Sequence, residues 1–324
     1  MPFSSIFGHS QVIERLDQAF KRDHLPSAYL FTGPAGLGKG VVARALAQML
    51  NCTTHNNCGH CPACGLFQRK EHPDFIIVRP QGKFIKIAQI KDLIQNLSLR
   101  PTYAKKRVVL LKHVHHMNME SANAFLKILE EPPLDTLLIL TAHDESLLLE
   151  TILSRCQRMP FAPLEPGQVD AILKKDFRLA EDCISLVMAY SEGRLRREFI
   201  EQANKLLSIR SQALHMISNL TGPEMGGHYK QIESILQQKL EPYFLEFLSH
   251  LLKDILLLQL GMTPQATNQD LLNELTPLAE RFSPDKLERA FGRVIRTEEN
   301  ILTYASRPLA MEAMMVELKW ELGA

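Results

Sequence analysis

A parallel α/β domain followed by an all-helical remainder is what this sequence predicts, and three observations carry the prediction. Four short apolar runs without alternation, Ala28–Thr32, Phe75–Val78, Val108–Leu111 and Leu137–Thr141, read as strands buried on both faces of a parallel sheet. Helix-like segments lie between them: Gly38 to Leu50, Ile87 to Leu97 and Met119 to Glu131. After Phe161 the strand pattern stops, and the rest of the chain reads as amphipathic helices.

Each element has its own signal. The segment from Met119 puts Ala122, Phe125, Leu126 and Leu129 on one face and is stopped by Pro132 and Pro133, which cannot continue a helix. Alternation of strand and helix implies crossover connections and a mainly parallel sheet. Phe161 to Gly167, with two prolines and a glycine, is a turn-rich connector and the first boundary. Residues 168 to 206 support three short helices. Longer helices follow from about Ser208, with breaks at Thr221-Gly222-Pro223 and at Gly261 to Pro264. In the most apolar of them Phe244, Leu248, Leu251, Leu252 and Ile255 recur at helical spacing.

Composition narrows the function classes. A chain of 324 residues accommodates two or three domains. With 37 basic and 36 acidic residues, its formal charge of +1 excludes nucleic-acid binding by bulk charge. The charge is nonetheless segregated: residues 69 to 113 are basic and residues 120 to 150 acidic, as expected of solvated faces or of complementary surfaces in an assembly. The N-terminal residues lack a signal-peptide pattern. Tyr243 to Leu260 is interrupted by Glu246, His250, Lys253 and Asp254, which argues against a membrane span. A soluble, cytoplasmic protein is expected.

Three motifs carry chemistry. Gly33-Pro-Ala-Gly36-Leu-Gly38-Lys39-Gly40 follows the first strand and opens a helix. This is a G-x-x-x-x-G-K phosphate loop, in which backbone N–H groups cradle phosphates and Lys39 neutralises them. The hydroxyl residue that should follow the lysine and ligate Mg²⁺ is Gly40. The third strand, which should end in metal-holding carboxylates, runs instead into Lys112 and His113. Both Mg²⁺ holders are missing, so intrinsic ATP hydrolysis is not expected and ATP binding is expected to be weak or absent. Second, Cys52, Cys58, Cys61 and Cys64 offer four thiolates with two overlapping C-x₂-C steps, the spacing of a closed, structural zinc site in a module spanning 52–64. Cys156 and Cys183 stand apart as core residues. Third, Ser154-Arg155-Cys156 lies on the segment leading out of the sheet, a position suited to presenting an arginine to a neighbouring chain.

Taken in order, Ile6-Phe7-Gly8-His9-Ser10-Gln11, the phosphate loop, the four cysteines, Leu126-Lys127-Ile128-Leu129-Glu130-Glu131-Pro132-Pro133 and Ser154-Arg155-Cys156 resemble the bacterial clamp-loader AAA+ family of DNA polymerase III. The resemblance is close over the first ~165 residues and one of layout beyond. Two branches of that family carry the cysteine module, the ATP-hydrolysing gamma/tau motor and the delta-prime branch. His72-Pro73-Asp74-Phe75 with Gly82-Lys83-Phe84-Ile85-Lys86-Ile87 is similar to the latter. The five-residue gap between the first two cysteines is shorter than the eight of the family pattern.

The resemblance implies an AAA+ α/β module over 1–163, a three-helix lid over 164–206 and an all-α collar over 207–324. It implies a non-catalytic subunit that helps load the sliding clamp onto primed DNA beside gamma/tau and delta subunits. Arg155 would be an arginine finger serving a neighbour's ATP site. Gly193-Arg194-Leu195-Arg196 resembles the second AAA+ sensor, placing Arg196 beside the degenerate nucleotide site of Gly33, Gly36, Gly38 and Lys39.

Overall fold

The computed structural model describes residue 6 and residues 8–220, 225–302 and 306–323. Phe7 of the first motif and the expected break at Thr221-Gly222-Pro223 lie outside them. The chain forms two compact units, Met1–Ile172 with Glu192–Arg196, and Leu173–Ser191 with Arg197–Ala324.

In the first unit the elements are α1 (Ser10–Lys21), β1 (Ala28–Thr32), α2 (Lys39–Asn51), α3 (Pro62–Arg69), β2 (Phe75–Val78), α4 (Ile87–Leu97), β3 (Arg107–Leu111), α5 (Met119–Glu130), β4 (Thr136–Thr141), α6 (Glu150–Leu153), β5 (Gln157–Pro160) and α7 (Pro166–Ile172). The sheet order is β2-β3-β4-β1-β5, and every pairing is parallel. The alternation of the pleat separates two cores. Tyr29, Phe31, Val108, Leu110, Leu137 and Ile139 face α2 residues such as Val42 and Leu46. Leu30, Val109, Leu111, Leu138 and Leu140 face α4 and α5 residues such as Ile90, Phe125 and Leu129.

Two differences from the sequence reading have plain causes. The sheet has a fifth strand, β5, whose residues Gln157-Arg158-Met159-Pro160 carry no apolar run; it is an edge, and only Met159 is buried. At the opposite edge β2 is not buried on both faces as expected, since Ile77 is exposed and Phe75 and Ile76 are half-buried.

The second unit is helical: α8 (Glu181–Ser191), α9 (Arg197–Glu201), α10 (Ala203–Asn219), α11 (Met225–Gln237), α12 (Glu241–Gln259), α13 (Leu272–Arg281), α14 (Pro284–Leu302) and α15 (Arg307–Gly323), preceded by a π-helical turn, Leu173–Phe177. Helix α12 is central and packs against α10, α13 and α14. Its stripe Phe244, Leu248, Leu251, Leu252 and Ile255 is wholly buried within the unit. Gly261, at φ 70°, closes α12 through its N–H to the Leu258 carbonyl, as the sequence break requires. Asp254, fully buried, accepts from the backbone N–H groups of Thr267 and Asn268 and from the Asn268 side chain at 2.7–2.8 Å. The Asn268 Oδ1 in turn accepts from Tyr190 at 2.9 Å and Arg210 at 3.2 Å. No helix among the described residues is long and apolar enough to cross a membrane.

Candidate phosphate loop and metal centre

The phosphate loop leaves the sheet at the end of β1, between β4 and the edge strand β5, and enters α2 at Lys39. Its three glycines have positive φ: 127° at Gly33, 83° at Gly36 and 74° at Gly38. At Gly33 a Cβ would stand 2.4 Å from the Phe161 carbonyl oxygen, so the loop packs directly on the strand-to-connector turn. Two further contacts fix it. The His9 ring donates from Nε2 to the Leu37 carbonyl at 2.8 Å, and the Leu195 N–H donates to the Gly36 carbonyl at 2.9 Å. The second contact sets Arg196 one residue from the loop; Arg196 is half-buried and already engaged in interactions of its own. Lys39 Nζ donates to the carbonyls of Gly33 and Pro34, and burial pushes its ammonium down to about 8.

The position after the lysine is decisive. A Cβ on Gly40 would lie 3.4 Å from Lys112 Nζ. Lys112 follows β3 and is tied to β2 by its N–H to the Val78 carbonyl at 2.8 Å. Its ammonium is therefore in van der Waals reach of any side chain at position 40. Burial lowers the Lys112 pKa, and the nearby Arg79 charge lowers it further. Beyond it His113, His115 and His116 crowd together with ring centroids 4.3–6.1 Å apart. Burial pushes His115 down to about 4, helped by charge on His116, His113 and His143. These residues do not fit Mg²⁺: position 40 offers no hydroxyl, and β3 is followed by the Lys112 ammonium instead of a carboxylate.

The four cysteines come together as their spacing predicts. Cys52 ends α2, Cys61 N-caps α3 and Cys64 lies in its first turn. The four sulfurs all lie within 4.8 Å of one another. Backbone N–H groups of Cys58, Cys61 and Cys64 point at the sulfurs of Cys52, Cys58 and Cys61 at 3.4–3.5 Å, and the Gln48 amide donates to Cys64 Sγ at 3.2 Å. Burial raises the Cys52 thiol, but the Thr54 hydroxyl and neighbouring N–H groups outweigh it and hold the thiol at about 5. Burial leaves Cys64 at about 12. Four such sulfurs cannot all ionise against one another unaided, and a dication at their centre would relieve that repulsion. The set therefore fits a tetrahedral thiolate metal. The nearby histidines do not join it. His55 Nδ1 pairs with the Met49 carbonyl, His60 Nδ1 with the Cys58 carbonyl, and His72 stacks on Phe67 at 4.4 Å.

Arg155, on the turn between α6 and β5, is one-third exposed. It meets the Glu130 carboxylate at 2.9 Å and the Thr151 carbonyl at 3.0 Å. Asp74, from the motif that distinguishes the two branches, is buried. It accepts the N–H groups of Thr102, Tyr103 and Ala104 at 2.7–2.9 Å and pairs with Arg107 at 3.4 Å. That motif clasps the chain entering β3.

The comparisons now take their place beside this geometry. A sequence profile described as DNA polymerase III, delta subunit, matches residues 8–165, and one described as DNA polymerase III, delta subunit, C terminal, matches residues 204–319. The chain belongs to the DNA polymerase III delta-subunit family. It is 28% identical over 326 residues, and over 95% of both chains, to the DNA polymerase III subunit delta-prime of Bacillus subtilis. It is 32% identical to the DNA polymerase III subunit tau of Escherichia coli, but over only 60% of this chain and 31% of that one. The fold is that of a gamma subunit-related protein of DNA polymerase III from Thermotoga maritima. The TM-score is 0.50 at 19% identity, over 94% of this chain and 99% of the other. The expectation of an AAA+-like parallel sheet followed by helices, in a DNA polymerase III clamp-loader subunit, is met.

The sequence reading missed His9 and Leu195 as supports of the phosphate loop. His9 and Leu37, and Leu195 and Gly36, lie far apart in sequence, so no local signal marks either pair.

Proposed function

We propose that this chain is the non-hydrolysing subunit of its clamp loader, acting beside gamma/tau and delta subunits to place the sliding clamp on primed DNA. The observation that carries this reading is Lys112 Nζ lying against Gly40, a cation where a motor ATPase holds its metal. Without Mg²⁺ ligands the loop cannot hold the metal that a motor ATPase uses for hydrolysis. The competing reading, a gamma/tau-type motor, requires those ligands.

Catalytic influence would then run outward, through Arg155. We read it as an arginine finger whose guanidinium stabilises charge on the phosphoryl group transferring in a neighbour's site. Its contacts with Glu130 and Thr151 orient the side chain within this chain, and Ser154 and Cys156 shape the turn that presents it. Cys52, Cys58, Cys61 and Cys64 hold a structural zinc in this reading. The ion supplies a crosslink of the α2–α3 loop, with no open position for chemistry. Residues 1–163, 164–206 and 207–324 serve as AAA+ module, lid and collar.

Steady-state ATPase measured on the chain alone, and on a loader reconstituted with motor and delta subunits, tests the reading. The isolated chain should show no Mg²⁺-dependent turnover. The complex should turn over ATP and lose part of that rate with Arg155→Ala at unchanged assembly. A robust rate from the isolated chain would assign it to the motor class.

A further inference from the structure

Gln48 touches both ends of the cysteine module. Its carbonyl accepts the N–H of Cys52, the first of the four cysteines, at 2.8 Å, and its side-chain Nε2 donates to the sulfur of Cys64, the last, at 3.2 Å. The sulfurs of Cys52, Cys58 and Cys61 accept backbone N–H groups from within the module at 3.4–3.5 Å. The Gln48 amide reaches in from outside it, from the body of α2. Gln48 is half-buried, in a place that an apolar side chain would fill as well. Nor is the amide needed to hold α2 beside the module and α3. Arg44 donates to the Phe67 carbonyl, and Asn57 Nδ2 donates to the Ala45 carbonyl at 3.1 Å. What the amide adds is a donor aimed at a sulfur with no exposure to water, where a hydrogen bond to an anion counts for most.

We propose that Gln48 is a positioning residue of the metal centre, whose amide N–H orients the Cys64 thiolate and draws charge from it, so that the four sulfurs hold zinc more tightly than the module alone would. The inference rests on the reading of the four cysteines as a zinc site. A thiolate accepts and does not donate, so the nitrogen end of the amide must face it, as it does. Charge drawn from one sulfur lessens the repulsion among all four, which lie within 4.8 Å of one another. Groups that hydrogen-bond a metal ligand from behind orient it and tune the metal, and losing one costs about 10–100-fold in metal affinity.

The full chain, loaded with zinc and separately with cobalt(II), tests this in Gln48→Leu, Gln48→Glu and, as a control, Gln68→Ala. Gln68 is exposed and braces the module through the Gly59 carbonyl at 3.0 Å, so it contributes to shape and leaves the sulfurs alone. Gln48→Leu should weaken zinc about tenfold or more in chelator competition. Gln48→Glu keeps the side chain's length and, at mildly alkaline pH, sets a carboxylate against the thiolate, so it should weaken zinc further. In the cobalt(II) form, loss of the N–H leaves the sulfur richer in electrons. The sulfur-to-cobalt charge-transfer band of Gln48→Leu should therefore move to longer wavelength, and that of Gln68→Ala should stay in place. A role in packing alone would lower affinity without moving the band. Parental zinc affinity in Gln48→Leu, or an unshifted band in that variant, would overturn this inference and leave the zinc reading standing. A parent that takes up neither zinc nor cobalt(II) would overturn both.

Discussion

The guanidinium of Arg155 rests 2.9 Å from the carboxylate of Glu130, the last residue of α5, so the side chain read as reaching a neighbour is held by an ion pair within its own chain. Arg155 is one-third and Glu130 one-half exposed, and such solvent-accessible pairs contribute about 0–1 kcal/mol. An exposed pair of that strength is readily exchanged for a phosphate partner. Arg155→Ala should therefore shift the melting temperature of the isolated chain by no more than a few degrees, while lowering ATPase of the assembled loader. Glu130→Gln should leave that ATPase intact or raise it, because the guanidinium is released. Equal losses in both variants would make the pair structural.

Metal analysis of the purified, reduced chain should find about one zinc per molecule, bound by the four clustered thiolates. Cys58→Ala, which removes the half-buried ligand, should weaken zinc retention under a chelator and raise amide exchange first in residues 52–70, where the crosslink acts. A substoichiometric metal content with all thiols reduced sinks the assignment.

The Asp74 clasp makes a pH-dependent statement. Burial raises its carboxyl pKa, but three backbone N–H groups and Arg107 outweigh that and hold it below the ordinary value. A depressed pKa contributes stability that is present in full above the unfolded value of about 3.9 and lost as pH falls through the folded one. Asp74→Asn should thus cost about 3–5 kcal/mol at neutral pH, since it leaves Arg107 buried without its counter-charge. In denaturant titrations, the gap between parent and variant should narrow below pH 4. A gap constant from pH 7 to pH 3 would show that the charge of Asp74 is not what the clasp uses.

In the helical unit Asn268 joins Tyr190, Arg210 and Asp254 with no exposure to water. Tyr190→Phe should cost about 1 kcal/mol, and Asn268→Leu about 1–3 kcal/mol per polar group it orphans. The double variant should cost less than the sum, because both changes break the same Tyr190–Asn268 bond. Strict additivity in urea unfolding would refute the network.

What was legible in the sequence was local. The four apolar strands and the glycines before Lys39 declare themselves through neighbouring residues, and the cysteines do so through their spacing. β5 was hidden because an edge strand needs only one buried side chain, Met159, and its polar flanks give no period. The site's most telling contacts join residues far apart in sequence: Gly40 with Lys112, Gly36 with Leu195, Leu37 with His9, Glu130 with Arg155. Gly40 and Lys112 read, each by itself, as a position where a metal ligand is lacking. That the one lies against the other follows only from the end of β3 approaching the start of α2.

The placement of β1 bears on how the chain is made. Its hydrogen-bonding partners are β4 on one side and β5 on the other, with Ala28 beside Leu138 and Tyr29 beside Gln157. At ribosomal rates of about 5–20 residues per second, the strand that carries the phosphate loop waits roughly 5–25 s for both neighbours to be synthesised. Over that interval Ala28–Thr32 is an apolar segment with both edges open, the feature chaperones recognise and other nascent chains pair with. The cysteine module, complete in sequence by residue 64, needs no such wait. Metal capture there would order the α2–α3 loop while β1 still lacks both of its partner strands. A nascent chain stalled before residue 157 would then hold a folded knuckle on an unfinished sheet, exposing the loop's own strand to proteases and to aggregation.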